Sequence, residues 1–272
     1  MNKVLDWELL ERHFYVTAAH RTDTLYSINA KELLRKEEAG KFVALYGERI
    51  KAKVPEAACT YFSGFLAGLC SAVQFLLSHH DVALDYGLHN LTIQLYLNDQ
   101  QKPSFSFILH DCTFETASAG GDRTMWREAV LSKLYAETVR PIVEALAEAA
   151  HSDASTLWGV LPTGVYYRYE EILRQAAHHP ALSEQIKDDF SFLVHGIQGD
   201  VFGRRRNPFD IKLKTIPSWK NPDEQLRQKT GCCLYYQTEG GTYCYTCPRI
   251  DDKMREQRKQ ELLAQYGLLK AT

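Results

Sequence analysis

Cys232, Cys233, Cys244 and Cys247 fall within GCCLYYQTEGGTYCYTCPR, residues 231–249, of a 272-residue chain that holds seven cysteines in all. Their spacing is C-C-x10-C-x2-C. Thiolates gathered this closely are soft metal ligands or the halves of disulfides, so the first question is what would hold them. Cys59, Cys70 and Cys112 lie far upstream, in stretches where packing is their simplest role.

Within the ten-residue spacer LYYQTEGGTY, Gly240 and Gly241 supply a turn. Leu234 to Gln237 and Thr242 to Tyr245 are then expected to fold back on each other as a hairpin, bringing the later cysteines opposite the earlier pair. Adjacent residues of a regular strand face opposite ways, so Cys232 and Cys233 need a backbone turn to serve one small object, and Gly231 makes such a turn easy. Pro248 has a fixed φ and no backbone donor, which stiffens the end of the motif.

Disulfides, a structural zinc ion and an iron–sulfur cluster all remain open on these residues. The N-terminal stretch MNKVLDWELLERHFYV lacks the unbroken apolar run of a secretory signal, so a cytoplasmic chain is expected, and a reducing compartment disfavours disulfides. Zinc sites usually present two knuckles of spaced cysteines, and a directly adjacent pair strains one tetrahedral centre. Two irons bridged by sulfide spread four thiolates over a wider object, and thiolate ligation is their normal mode.

The arrangement GCCLYY, a ten-residue gap and then CYTCPR closely resembles the FhuF-like ferric siderophore reductases. That resemblance implies a [2Fe-2S] cluster with Cys232, Cys233, Cys244 and Cys247 as its ligands. It implies an oxidoreductase that reduces a ferric siderophore by one electron and so releases Fe(II). The chain shows no G-x-G-x-x-G opening a helix after a strand, so the electrons are expected from a separate donor protein, a ferredoxin or similar. Positive charge near an anionic cluster raises its potential, and Arg227, Lys229 and Arg249 flank the motif. The alternatives are a zinc-stabilised binding or assembly protein without redox activity, and a plain electron carrier.

Residues 202–229 carry eight Lys or Arg against three acids, a local net of +5 in a chain whose formal charge is -2. Arg204, Arg205 and Arg206 with Lys212 and Lys214 form the candidate docking surface for an anionic ferric complex. No Gly-rich or aromatic binding module accompanies this run, which argues against nucleic acid. The pairs His79-His80 and His178-His179 sit at expected helix ends without a ligand partner at i+4 and are not taken as metal sites.

These residues need a scaffold. Helices are expected over residues 2 to 20 and 30 to 46, then from Pro55 through the uncharged stretch 58 to 78. That stretch is long enough to cross a bilayer, but Thr60, Ser63, Ser71, Gln74 and Ser78 dilute it, so a buried core helix is expected and no membrane segment. The period then changes: residues 91 to 98 and 103 to 110 alternate as an antiparallel hairpin, with a neighbouring strand at 81 to 87. Helices follow at 124 to 150, 155 to 178, with Pro162 kinking or splitting it, and 182 to 196, and a charged helix ends the chain. The class is α+β. Residues 1–200 are expected as the α+β domain, and 201–272 as a basic linker with the [2Fe-2S] segment.

Overall fold

The computed structural model describes residues 5–117 and 121–267; the expected helical residues 2 to 4 lie outside that range. Helix α1 (Trp7–Phe14) starts where the Asp6 carboxylate accepts the Leu9 N–H at 2.9 Å, satisfying an otherwise unpaired donor of the first turn. It does not reach residue 20. Tyr15 adopts a left-handed conformation, φ 66, and the chain turns into strand β1 (Val16–Thr17).

Strand β2 (Thr24–Asn29), which sequence patterning did not reveal, precedes a 3-10 turn (Glu32–Leu34) and helix α2 (Lys36–Arg49). Helix α3 (Pro55–His80) follows, with proline in its first turn, where no backbone donor is needed. Strands β3 (Val82–Leu84), β4 (Leu91–Leu97), β5 (Pro103–Leu109) and β6 (Phe114–Thr116) come next. The four-stranded sheet has the order β1-β5-β4-β2. β4 and β5 form the expected antiparallel hairpin, with Ile93 opposite Phe107, whereas β1 joins β5 in parallel. β3 does form, but it pairs with β6 in a separate ribbon and does not neighbour the hairpin. The reason is occupancy, because β1 and β2 already take both free edges of the β4–β5 pair.

Helices α4 (Arg123–Lys133) and α5 (Arg140–Ala149) are joined by a π-helical turn (Leu134–Val139). Helix α6 (Ala154–Gln175) runs unbroken through Pro162, and α7 (Pro180–Ser191) ends in a second π turn. Short strands β7 (Thr215–Pro217) and β8 (Gln225–Arg227) pair antiparallel, and α8 (Asp252–Gln265) is the expected terminal helix. The fold is α+β.

α3 lies at the centre. On one side Phe62 meets Phe105 edge-on at 4.9 Å, fastening the helix to the sheet, and on another α3 packs along α6. Each such fully buried aromatic contributes ~1.5–3 kcal/mol. α3 is long and apolar enough for a bilayer, yet 78% of its most apolar window is buried inside the protein. Its far end is fixed by charge. Asp189 of α7, fully buried, accepts from Arg123 at 2.7 and 2.8 Å, from Arg127 at 2.7 Å and from Ser78 of α3 at 2.8 Å.

Candidate metal centre

The segment bearing the four cysteines is held against α6 and α3 from below. Thr230 donates its N–H to Thr163 Oγ1 at 2.9 Å and its hydroxyl to the Gly159 carbonyl at 2.7 Å. Gly231 then presses on the same turn of α6, where a Cβ would come within 2.6 Å of the Gly159 backbone. Glycine is required there for close approach. The backbone bends at Thr230 and Gly231 before the cysteine pair, and turns again after it at Leu234, at φ 57.

The expected hairpin between 234–237 and 242–245 does not form. Tyr235–Gln237 is a 3-10 turn, and the outer backbone of the loop bonds to the α2–α3 connection instead. Lys53 N–H donates to Gln237 O at 2.7 Å, and Ala52 forms a bridge with Thr238. A partner distant in sequence thus wins the backbone groups that a local hairpin would have used. Gly240 does supply the expected turn, at φ 69. Thr60 of α3 secures the start of the loop by donating to Cys233 O at 2.9 Å.

The closing CYTCPR turn is fixed from the other side. Cys247 N–H donates to Cys244 O at 3.0 Å, and Lys229 N–H donates to Thr246 O at 2.9 Å. Arg255, from a helix whose charges suggested exposure, is buried and spreads its guanidinium over the carbonyls of Tyr245, Cys247 and Ile250. Nothing in the charged pattern of α8 singles out Arg255; Thr60 and Thr163 gave no signal either.

The result brings the four sulfurs together as two pairs. Cys232 and Cys247 Sγ are 3.6 Å apart, and Cys233 and Cys244 Sγ are 3.9 Å apart. All four thiols are free of disulfides. Two thiolates on one tetrahedral ion, with metal–sulfur bonds of ~2.3 Å, stand roughly 3.8 Å apart, so each pair has the span of a chelate to one ion. Among the described residues no three His, Cys, Asp or Glu side chains gather around a single ion. Two chelating pairs suit a two-iron cluster.

Lys229 lies against one pair only, its Nζ 3.3 Å from Cys233 Sγ and 3.2 Å from Cys244 Sγ. Burial alone would lower the ammonium's pKa, but the charges of Cys233 and Cys244 reverse this and raise it. The Cys233 thiol is lowered to about 5, first by the hydrogen bond from Cys244 and further by the Lys229 charge. Cys244 is raised because Cys233 takes the first negative charge. Cys232 is pushed up to about 11 by burial, with Cys247 beside it. Ligation requires thiolates, and this pair is the readier to supply one. Burial pushes the core thiols Cys59 and Cys70 up to about 12, in keeping with packing roles.

The other flanking cations bond to other partners, although the Arg249 charge still acts on Cys232. Arg227 pairs with Glu170 and lies over the Tyr166 ring, while the Arg249 guanidinium donates to Tyr236 OH at 3.0 Å. Tyr236 in turn stacks on Tyr243 at 4.2 Å, covering one side of the sulfur cavity.

Beside the centre opens a cleft of about 460 Å³ lined by Lys212, Lys214, Gln228, Lys229, Thr230 and Pro248, among others. Of the basic run, Lys212 and Lys214 line this cleft; Arg204, Arg205 and Arg206 do not. Those arginines sit outside two buried anchors, Phe202 and Phe209, and Arg204 faces Asp153 at 3.7 Å.

An α+β scaffold presenting two cysteine pairs at chelating distance offers a four-thiolate site of the kind that iron–sulfur clusters use. Comparison with known families makes this particular. Residues 230–249 match the family model of the FhuF 2Fe-2S C-terminal domain, a stretch that contains all four cysteines. The match indicates a [2Fe-2S] cluster as the cofactor. No curated protein matches the chain.

Proposed function

We propose that this chain is a cytoplasmic ferric siderophore reductase, in which Cys232, Cys233, Cys244 and Cys247 hold the cluster and the adjacent cleft receives the ferric complex. The observation that carries the reading is the shared wall: Lys229 touches two of the sulfurs and also lines the cleft. When bound, the cluster supplies single electrons, the chemistry that turns Fe(III) to Fe(II).

The chain's own residues do the rest. Lys212 and Lys214 give the cleft a positive rim that attracts an anionic complex, an attraction that salt weakens. Arg204, Arg205 and Arg206 are exposed or half-exposed and extend the positive field without lining the cleft. Hard oxygen donors hold Fe(II) far more weakly than Fe(III), so one electron suffices for release, and no acid, base or nucleophile is needed in the cleft. A separate one-electron donor protein, a ferredoxin or similar, completes the cycle.

Anaerobic stopped-flow of the dithionite-reduced protein against hydroxamate, catecholate and citrate-type ferric complexes tests this. The expected result is cluster reoxidation that saturates with complex concentration, together with Fe(II) captured by a ferrous chelator. Reoxidation without saturation by any complex would leave an electron carrier and remove the reductase.

A further inference from the structure

The two cysteine pairs are alike in sulfur separation but not in surroundings. Cys233 and Cys244 share a full positive charge, the Lys229 ammonium, at 3.3 and 3.2 Å. On the other pair, Cys247 Sγ accepts a neutral backbone N–H, that of Arg249, at 3.5 Å, and the Arg249 guanidinium, bonded to Tyr236, acts on Cys232 by charge without a hydrogen bond to either sulfur. Lys229 is also rigidly placed. Its own N–H is bonded to Thr246 O at 2.9 Å, and its neighbour Thr230 is bonded to α6 on two sides. The lysine therefore belongs to the cysteine loop and to the scaffold at once, and it also lines the cleft.

A cluster gains one negative charge on reduction, and a cation fixed beside one iron's thiolates lowers the energy of that charge most when it resides there. We infer that Cys233 and Cys244 share one iron, that Cys232 and Cys247 share the other, and that Lys229 is a positioning residue that holds the added electron on the Cys233/Cys244 iron, beside the cleft. The inference rests on the four cysteines being the cluster's ligands. With the cluster bound, one electron would come from a low-potential one-electron donor and the iron held by Cys233 and Cys244 would take it, going from Fe(III) to Fe(II), with no bond broken and no proton moved.

The test uses the full-length, cluster-loaded chain. Lys229→Gln and Lys229→Arg are each assayed for iron and acid-labile sulfide, and the midpoint potential is read from visible absorbance during an anaerobic dithionite titration. Lys229→Gln is expected to keep its iron and to lose about tenfold in the reduction equilibrium, ~59 mV for one electron, with Lys229→Arg recovering most of it. A Lys229→Gln protein with full iron and an unchanged potential overturns the role of Lys229. The pairing is tested with Lys229 in place. An alkoxide ligand favours Fe(III), so Cys244→Ser should lower the potential more than Cys247→Ser, and equal shifts, or a larger one at Cys247, overturn it. Wild-type protein without iron or sulfide would defeat the cluster reading itself, an outcome separate from either of these.

Discussion

The guanidinium of Arg255, on the terminal helix, donates to the carbonyl of Cys247 at 3.3 Å, so the last cysteine turn is held by a residue eight positions beyond it. The same side chain satisfies Tyr245 and Ile250, and it is only 9% exposed. The clamp makes α8 part of the metal centre.

Arg255→Met keeps the bulk and removes the donors, leaving the Tyr245 and Ile250 carbonyls without this partner at about 1–3 kcal/mol each and Cys247 O with Gln228 alone. The cluster should then bleach roughly tenfold faster or more under an iron chelator. The thermal transition of the α3 core should hardly move. Equal bleaching rates would show that the clamp does not secure the turn.

Gly231→Ala forces a methyl to within 2.6 Å of the α6 backbone, with no flexible side chain to yield. The cysteine loop must lift away from α6, and iron content after anaerobic reconstitution should fall below half. Gly240→Ala meets no neighbour and faces only the left-handed backbone strain, ~1–2 kcal/mol, so it should keep nearly full iron. Equal losses in the two variants would contradict this account of the loop.

The docking field can be divided by position. Lys212→Glu/Lys214→Glu reverses the charge on the cleft wall and should raise the KM for an anionic complex about fivefold or more at low salt, from ~1 kcal/mol of screened attraction. Arg204→Ala/Arg205→Ala/Arg206→Ala should raise it less, because these residues lie off the cleft. Steady-state rates at two ionic strengths decide the matter, and a larger effect from the arginines would move the docking site.

Asp189 sets a pH dependence far from the metal. Burial would raise its pKa, but hydrogen bonds from Arg123, Arg127 and Ser78 outweigh burial and hold it below the ordinary carboxylate value. A depressed folded pKa adds stability that is fully present above the unfolded value of ~3.9 and is lost as pH falls through the folded one. Asp189→Asn removes the buried counter-ion that Arg123 and Arg127 share, leaving them Asp81 and Asp188, and should cost about 3 kcal/mol at pH 7. Urea unfolding of the two proteins should converge as pH drops below about 4; a gap that stays constant would assign the cost to packing alone.

Much of the scaffold could be read from periodicity. The β4–β5 hairpin alternates over most of its length, and the helices from α3 to α7 show as apolar repeats with proline or aspartate at their starts. What escaped were elements whose partners are remote. β1 has two residues and β6 three, too short for any period, and each exists because a distant strand offers it an edge. The loop of 234–245 looked like a hairpin because its glycines sit where a turn belongs, yet its backbone bonds to Ala52 and Lys53.

The sequence by itself determined the ligand chemistry: four thiols at C-C-x10-C-x2-C, a turn at Gly240 and an α+β scaffold, all fixed by residue type and local spacing. Only the tertiary structure decided how the thiols divide, Cys232 with Cys247 and Cys233 with Cys244, and which of three flanking cations reaches a sulfur. Arg227 and Arg249 carry the same charge as Lys229, but Glu170 and Tyr236 hold them elsewhere. Electrostatic influence near a metal depends on distance and burial, and both are set by how α6, α8 and the cysteine loop pack together.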